Sequence, residues 1–137
     1  MNVDFSSIED VESFLSIPEG SYLCRIAEVR EALTRDGSPR WALRLEVADG
    51  DFAGRTAAWD GLVWSERGLP RVKSILAYLG FNVSGSLDVA PQDLVGRRIQ
   101  AQFHTEERED PLSGRRIVRL RVPYMGYAPA DQDPSPF

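Results

Sequence analysis

The chain of 137 residues holds one cysteine, Cys24, and one histidine, His104. A lone cysteine excludes an internal disulfide, and on a strand it is expected to pack as a small hydrophobe. One cysteine and one histidine cannot assemble a zinc site from ordinary ligands, so no metal and no cofactor is expected. No apolar run approaches the roughly 18 residues of a membrane span, so no membrane partner is expected. The first 17 residues contain no Lys or Arg; they do not read as a secretory signal, and a cytoplasmic setting is expected. Glycine-rich phosphate loops and nucleophile elbows are missing as well. Carboxylates are plentiful, but they sit in turns and tails. Asp60, in mid-strand, has no obvious catalytic partner in sequence and reads as a structural residue bonded to a neighbouring loop. His104 reads as a surface strand residue. The chain is therefore not expected to be an enzyme.

Basic residues are missing from both ends. Residues 1–20 carry five carboxylates and residues 131–137 carry two, with no Lys or Arg in either stretch. The chain has 21 acidic and 16 basic residues in all, so the middle keeps 14 carboxylates against all 16 cations, a net of +2. The overall charge of −5 thus conceals a basic centre, and an acidic average does not exclude a nucleic-acid surface. Lysine is nearly absent too: all the cations but Lys73 are arginines, the residue type that both pairs with phosphate and stacks on bases.

The stretch Gly54–Gly80 organises the rest. Its first half is strand-like. In its second half Leu69, Val72, Ile75, Leu76 and Leu79 recur at helical spacing, which predicts an amphipathic helix. Pro70 suits the first turn, and Gly80 followed by Phe81 suits the C-terminal cap. Before it, a first strand is expected over Ser21–Leu33, with a bulge where its apolar residues change parity. A second is expected over Arg40–Ala48, with Trp41, Leu43, Leu45 and Val47 on the core face. After the helix, one helical turn is expected at Pro91–Val95, then strands over Arg97–Glu106 and Arg115–Tyr124. Ser6 and Glu9 match a capping box, and Ile8, Val11, Phe14 and Leu15 form a narrow stripe, which predicts a short helix over residues 6–15. The order strand–strand–strand–helix–strand–strand is that of an OB-fold. The expected fold is all-β with one helix: a five-stranded OB-fold Greek-key barrel, preceded by a short N-terminal helix and followed by a disordered acidic tail. The segments are 1–17 (acidic, helical), 18–127 (barrel) and 128–137 (tail).

Arginines recur at period two on three of these strands: Arg40 and Arg44, Arg98, and Arg115, Arg119 and Arg121, with Arg55 beside them. Trp59, Trp64 and Tyr124 are nearby aromatics. Guanidinium groups that neutralise a backbone, with flat rings on which bases stack, are what unpaired nucleic acid needs. A one-residue slip in register would exchange Trp59 and Trp64 at the binding face. The competing reading has these arginines solvated and paired with Glu28, Glu46 and Glu106. The last ten residues, APADQDPSPF, cannot pack a core. A final Phe on a tether can fill a pocket while its carboxylate meets a cation.

Asp131, Asp133, Pro136 and Phe137 resemble the acidic tip of bacterial single-stranded-DNA-binding proteins. PEGSYLCRIAEV (Pro18–Val29), LRLEVADGDFAGR (Leu43–Arg55) and LVWSERGLPRVKSILAYLG (Leu62–Gly80) are similar to a family of phage and prophage proteins encoded near recombination genes. That resemblance implies an OB-fold single-strand binder of phage-type replication or recombination, in a bacterial cell or phage-infected host. Its expected partners are single-stranded DNA and, through the tail, a replication or recombination protein. A barrel edge or the N-terminal helix would offer a surface for pairing with a second copy. The alternative is a protein–protein adaptor on a small barrel that never touches nucleic acid.

Overall fold

A computed structural model describes residues 11–13 and 17–130 of the chain. In chain order its elements are β1 (Val11–Ser13), β2 (Gly20–Leu33), β3 (Pro39–Val47), β4 (Thr56–Val63), α1 (Leu69–Tyr78), α2 (Pro91–Leu94), β5 (Arg98–Glu109), β6 (Arg116–Arg121) and β7 (Tyr127–Pro129). The architecture is mostly β with few helices.

Period-two alternation explains the central strands. On β3, Trp41, Leu43, Leu45 and Val47 are buried while their neighbours stay half-exposed, and on β5 Ile99, Ala101 and Phe103 are buried in the same way. Successive side chains of a strand point to opposite faces, so each strand gives one apolar row to the core. β2 does change parity. Its register against β3 shifts between Ile26 and Glu28, a bulge that lets Cys24 and Ile26 face the core before it and Val29 pack against the core after it. Burial pushes the Cys24 thiol up to about 12.

The helix follows the 3.6-residue stripe. Val72, Ile75 and Leu76 are buried within α1, and Leu79 is buried just past it. Gly80, at φ +101°, adopts the left-handed conformation that ends the helix. Its N–H donates to the Ala77 carbonyl at 3.0 Å, and the Phe81 N–H donates to the Leu76 carbonyl at 3.0 Å, the double bond of a Schellman cap. Arg97 closes the same end, donating to the Leu79 carbonyl at 3.0 Å with its guanidinium 3.9 Å from the Phe81 ring centre.

The strands pair in the order β1-β6-β5-β2-β3-β4. All these ladders are antiparallel except the parallel pairing of β1 with β6. β6 and β7 run in succession along one edge of β5: His104 pairs with Arg121, and Ala101 pairs with Tyr127. The loop between them carries Tyr124 and Met125 outward. Among the described residues no helix is long and apolar enough to cross a membrane.

Three expectations are corrected. The sheet is open rather than a closed five-stranded barrel, because the terminal strand β4 packs near β6 without a ladder between them. Val11–Ser13, expected within a helix, forms a strand, because the otherwise free edge of β6 supplies backbone partners that a local capping signal cannot foresee; the rest of that expected helix lies outside the described residues. The last long strand stops at Arg121 rather than Tyr124, since the chain loops out before rejoining β5 as β7. The acidic tail from Asp131 onward lies outside the described residues.

Candidate nucleic-acid interface

Where β4 and β6 face each other unpaired, they leave a cleft of about 760 Å³. Thr56–Gly61 of β4 form one wall and Ile117 with Arg119–Val122 the other; Arg40, Arg71, Glu106, Arg108 and Tyr124 complete it. Its charged lining is five arginines, Arg40, Arg71, Arg108, Arg119 and Arg121, against two carboxylates, Asp60 and Glu106, a net of +3. Trp59 and Tyr124 stand at its mouth, 41% and 59% exposed.

Register places these groups. β3 and β4 pair Arg40 with Val63, Ala42 with Gly61, and Arg44 with Trp59, so all six lie on the face opposite the buried row of Trp41 to Val47. Arg30 of β2 covers one face of Trp59, its guanidinium 4.7 Å from the ring centre, and the ring keeps its 41% exposure beyond that contact. Arg30 is held in turn by Glu28 at 2.5 Å, which also accepts from Arg44 at 3.3 Å. The hydrogen bond from Arg30, more than that from Arg44, holds the Glu28 carboxyl below its ordinary range. On the opposite wall Glu106 is shared between Arg119 at 3.4 Å and Arg121 at 3.9 Å, so one carboxylate serves two cations and positive charge remains in excess.

Asp60 ties the floor of the cleft to the helix. Its Oδ2 accepts from Arg71 Nη2 at 2.6 Å and from the Tyr127 hydroxyl at 2.5 Å, while Oδ1 accepts from the Gly61 N–H at 2.9 Å. Arg71 Nη1 also donates to the Gly61 carbonyl at 3.0 Å. Burial first, and then the Asp60 carboxylate, raises the Tyr127 phenol well above its usual range. Asp60 is thus satisfied as a structural residue, with a helix as its main partner rather than a loop. Among the described residues no group of three His, Cys, Asp or Glu could hold a metal ion.

Of the arginines and aromatics expected to bind nucleic acid, the fold brings Arg40, Trp59, Arg119, Arg121 and Tyr124 to this one cleft. The others lie elsewhere. Arg44 is turned to Glu28 and to the Thr56 hydroxyl at 3.1 Å. Arg55 lies over the Phe52 ring, 5.6 Å from its centre, in the turn before β4. Arg98 pairs with Arg25 at the start of β5, and Arg115 stands at the end of the β5–β6 hairpin, its backbone carbonyl bonded to the Asp110 N–H at 2.7 Å. Trp64 packs on Trp41 with ring centres 4.7 Å apart and lines a separate groove beside α1. Asp131, Asp133, Pro136 and Phe137 lie outside the described residues. Sequence reasoning missed Arg30, Arg71 and Arg108. For Arg71 there was one signal, an Asp in mid-strand that needed a cation.

A family model described as "Protein of unknown function (DUF669)" matches residues 1–109. The chain belongs to that family. No curated protein matches it. The DUF669 match ends where β5 ends, so the Arg40, Trp59, Asp60, Arg71 and Arg108 side of the cleft lies within the matched residues. The wall bearing Arg119, Arg121 and Tyr124 lies beyond them.

Proposed function

We propose that this DUF669 chain is a single-stranded-DNA-binding protein of phage-type replication or recombination, built on an opened OB-fold. The carrying observation is the cleft itself, with its net charge of +3 and two exposed aromatic rings at its mouth. Supporting the fold reading, β5 returns after α1 to lie beside β2, so β5-β2-β3-β4 has the 4-1-2-3 order of a Greek key; the OB-fold is itself a partly open five-stranded barrel. In this reading Arg40, Arg119 and Arg121 meet phosphates, and Trp59 and Tyr124 stack on bases, each stacked base contributing about 1–3 kcal/mol without regard to sequence. Arg71, already engaged by Asp60, organises the cleft rather than gripping the strand. Action is stoichiometric and cytoplasmic, and the tail through Asp131, Asp133, Pro136 and Phe137 recruits a replication or recombination protein.

Fluorescence titration with oligo-dT tests this. Trp emission should be quenched on binding, and three phosphate contacts should give a log–log salt slope of about −2. A chain ending at Ala130 should bind the oligonucleotide and lose the protein partner. No quenching at low salt, or an affinity indifferent to salt, rejects the reading.

The adaptor reading is favoured by a different feature, an apolar groove of about 750 Å³ between α1 and the following loop, lined by Trp64, Leu69, Val72, Leu76, Val83 and Leu87 among others. Under it, no oligonucleotide binds, and substitutions in this groove alone abolish partner capture.

A further inference from the structure

Resting on the reading of the cleft as a single-strand site, we propose that Arg40 is its principal phosphodiester anchor and that Gly61 is the residue that positions it. The cleft cations are not equivalent. Arg71 bonds Asp60 at 2.6 Å, and Arg119 and Arg121 share Glu106. Arg108 is exposed at the hairpin. Arg40 alone is both half-buried and without a carboxylate or hydrogen-bond acceptor among the described residues. A guanidinium partly withdrawn from water with unused donors gains most from an incoming anion, and its planar fork matches two phosphate oxygens at once.

Gly61 decides where that fork lies. Arg40 pairs with Val63, two residues along β4, and its side chain reaches diagonally back across Gly61. A Cβ at position 61 would stand 2.6 Å from Arg40 Nη2, 2.7 Å from Nε and 2.8 Å from Cζ, all well inside contact distance. No other atom is that close, in contrast to Gly68, where the Val63 carbonyl oxygen would lie at 2.2 Å. Nor does the backbone need glycine at 61, which is not among the residues with positive φ. The strand there cannot easily yield, because its N–H is bonded to Asp60 and its carbonyl to Arg71. The missing side chain is therefore a seat for the Arg40 guanidinium, and the three atoms nearest a methyl there all belong to the flexible end of that arginine.

The test is a mutant cycle read by anisotropy of a fluorescein-labelled oligo-dT at low salt, using the full chain. Gly61→Ala should weaken binding about as much as Arg40→Ala, roughly five- to tenfold, and each should make the salt slope shallower by about 0.7. In the Arg40→Ala background, Gly61→Ala should have no further effect. Gly61→Ala should also melt no lower than the parent, because alanine is no worse than glycine in an unstrained strand; a structural defect would lower the melting temperature instead. Wild-type affinity in Gly61→Ala, or additive losses in the double variant, overturns the seat. If the parent chain binds no oligonucleotide, the single-strand reading fails and the anchor with it. If the parent binds and Gly61→Ala is silent, only the anchor fails.

Discussion

Removing the Asp60 carboxylate should unsettle the fold and tighten the site at the same time. Among the described residues, Asp60→Ala leaves the Gly61 carbonyl as the one hydrogen-bond acceptor of the Arg71 guanidinium, beside the Tyr124 and Tyr127 rings at 5.9 and 5.7 Å, and leaves the Tyr127 hydroxyl without its acceptor. The side chains of Arg71 and Asp60 are 17% and 18% exposed. Breaking a fully buried pair by deleting one partner costs about 3–5 kcal/mol; the residual water contact here lowers that to about 2. The stranded hydroxyl adds about 1 kcal/mol. A total near 3 kcal/mol corresponds to a melting temperature roughly 10 °C lower for a chain of this size. Urea unfolding followed by circular dichroism measures it, with an unchanged m-value showing that the denatured state is unaltered. Arg71→Ala in the same background should cost much less than it does alone, because the unpaired cation is gone. The lining charge of the cleft, +3 with Asp60 present, would rise by one unit, so the destabilised variant should bind oligo-dT more tightly below its melting point. A stability loss under about 0.5 kcal/mol, the level of an ordinary surface change, would refute the network, and weaker binding by a folded variant would refute the electrostatic reading of the cleft.

Other outcomes follow from the same contacts. The Tyr127 phenol is raised in the folded chain, so the fold holds that proton more tightly than the unfolded chain does. The resulting stability is complete below about pH 10, the unfolded value, and declines as pH climbs toward the folded value; Tyr127→Phe should flatten the stability curve in that alkaline range. Cys24, pushed up to about 12 by burial, should react with a thiol reagent at pH 8 only upon unfolding, and rapid native labelling would contradict its place in the core. Gly80→Ala places a Cβ at φ +101° and should cost about 1 kcal/mol in the same urea assay. Arg119→Ala should weaken oligonucleotide binding severalfold while Arg98→Ala leaves it within twofold; equal losses would point to diffuse charge rather than a cleft.

Local pattern was enough for the elements whose environment is simple. The stripe from Leu69 to Leu79 and the Gly80–Phe81 cap foretold α1 and its Schellman end, since a 3.6-residue period has one way to bury a face. The alternation of Trp41 to Val47 foretold which side of β3 enters the core, and the parity change in β2 foretold its bulge. Pairing partners carry no such local mark. Val11–Ser13 became a strand because β6 offered an edge, and Tyr127–Pro129 joined β5 in only three residues, too few to show a period.

For the candidate site, the chain's own residue pattern supplied the chemistry: arginines with a single lysine, aromatics among them, and both ends acidic with no basic residue. It could not say which of those arginines meet. Arg40, Arg119 and Arg121 lie on strands far apart in sequence, and only the curl of the open sheet brings them around one cleft. Arg44 has the same period-two placement as Arg40, yet the register sets Glu28 opposite Arg44 and Ala32 opposite Arg40, so a carboxylate neutralises the first, while the second has none among the described residues. Composition and periodicity determine what kinds of groups a face carries. Distances between strands decide which of them remain available to a ligand, because ion pairing falls off within a few ångströms.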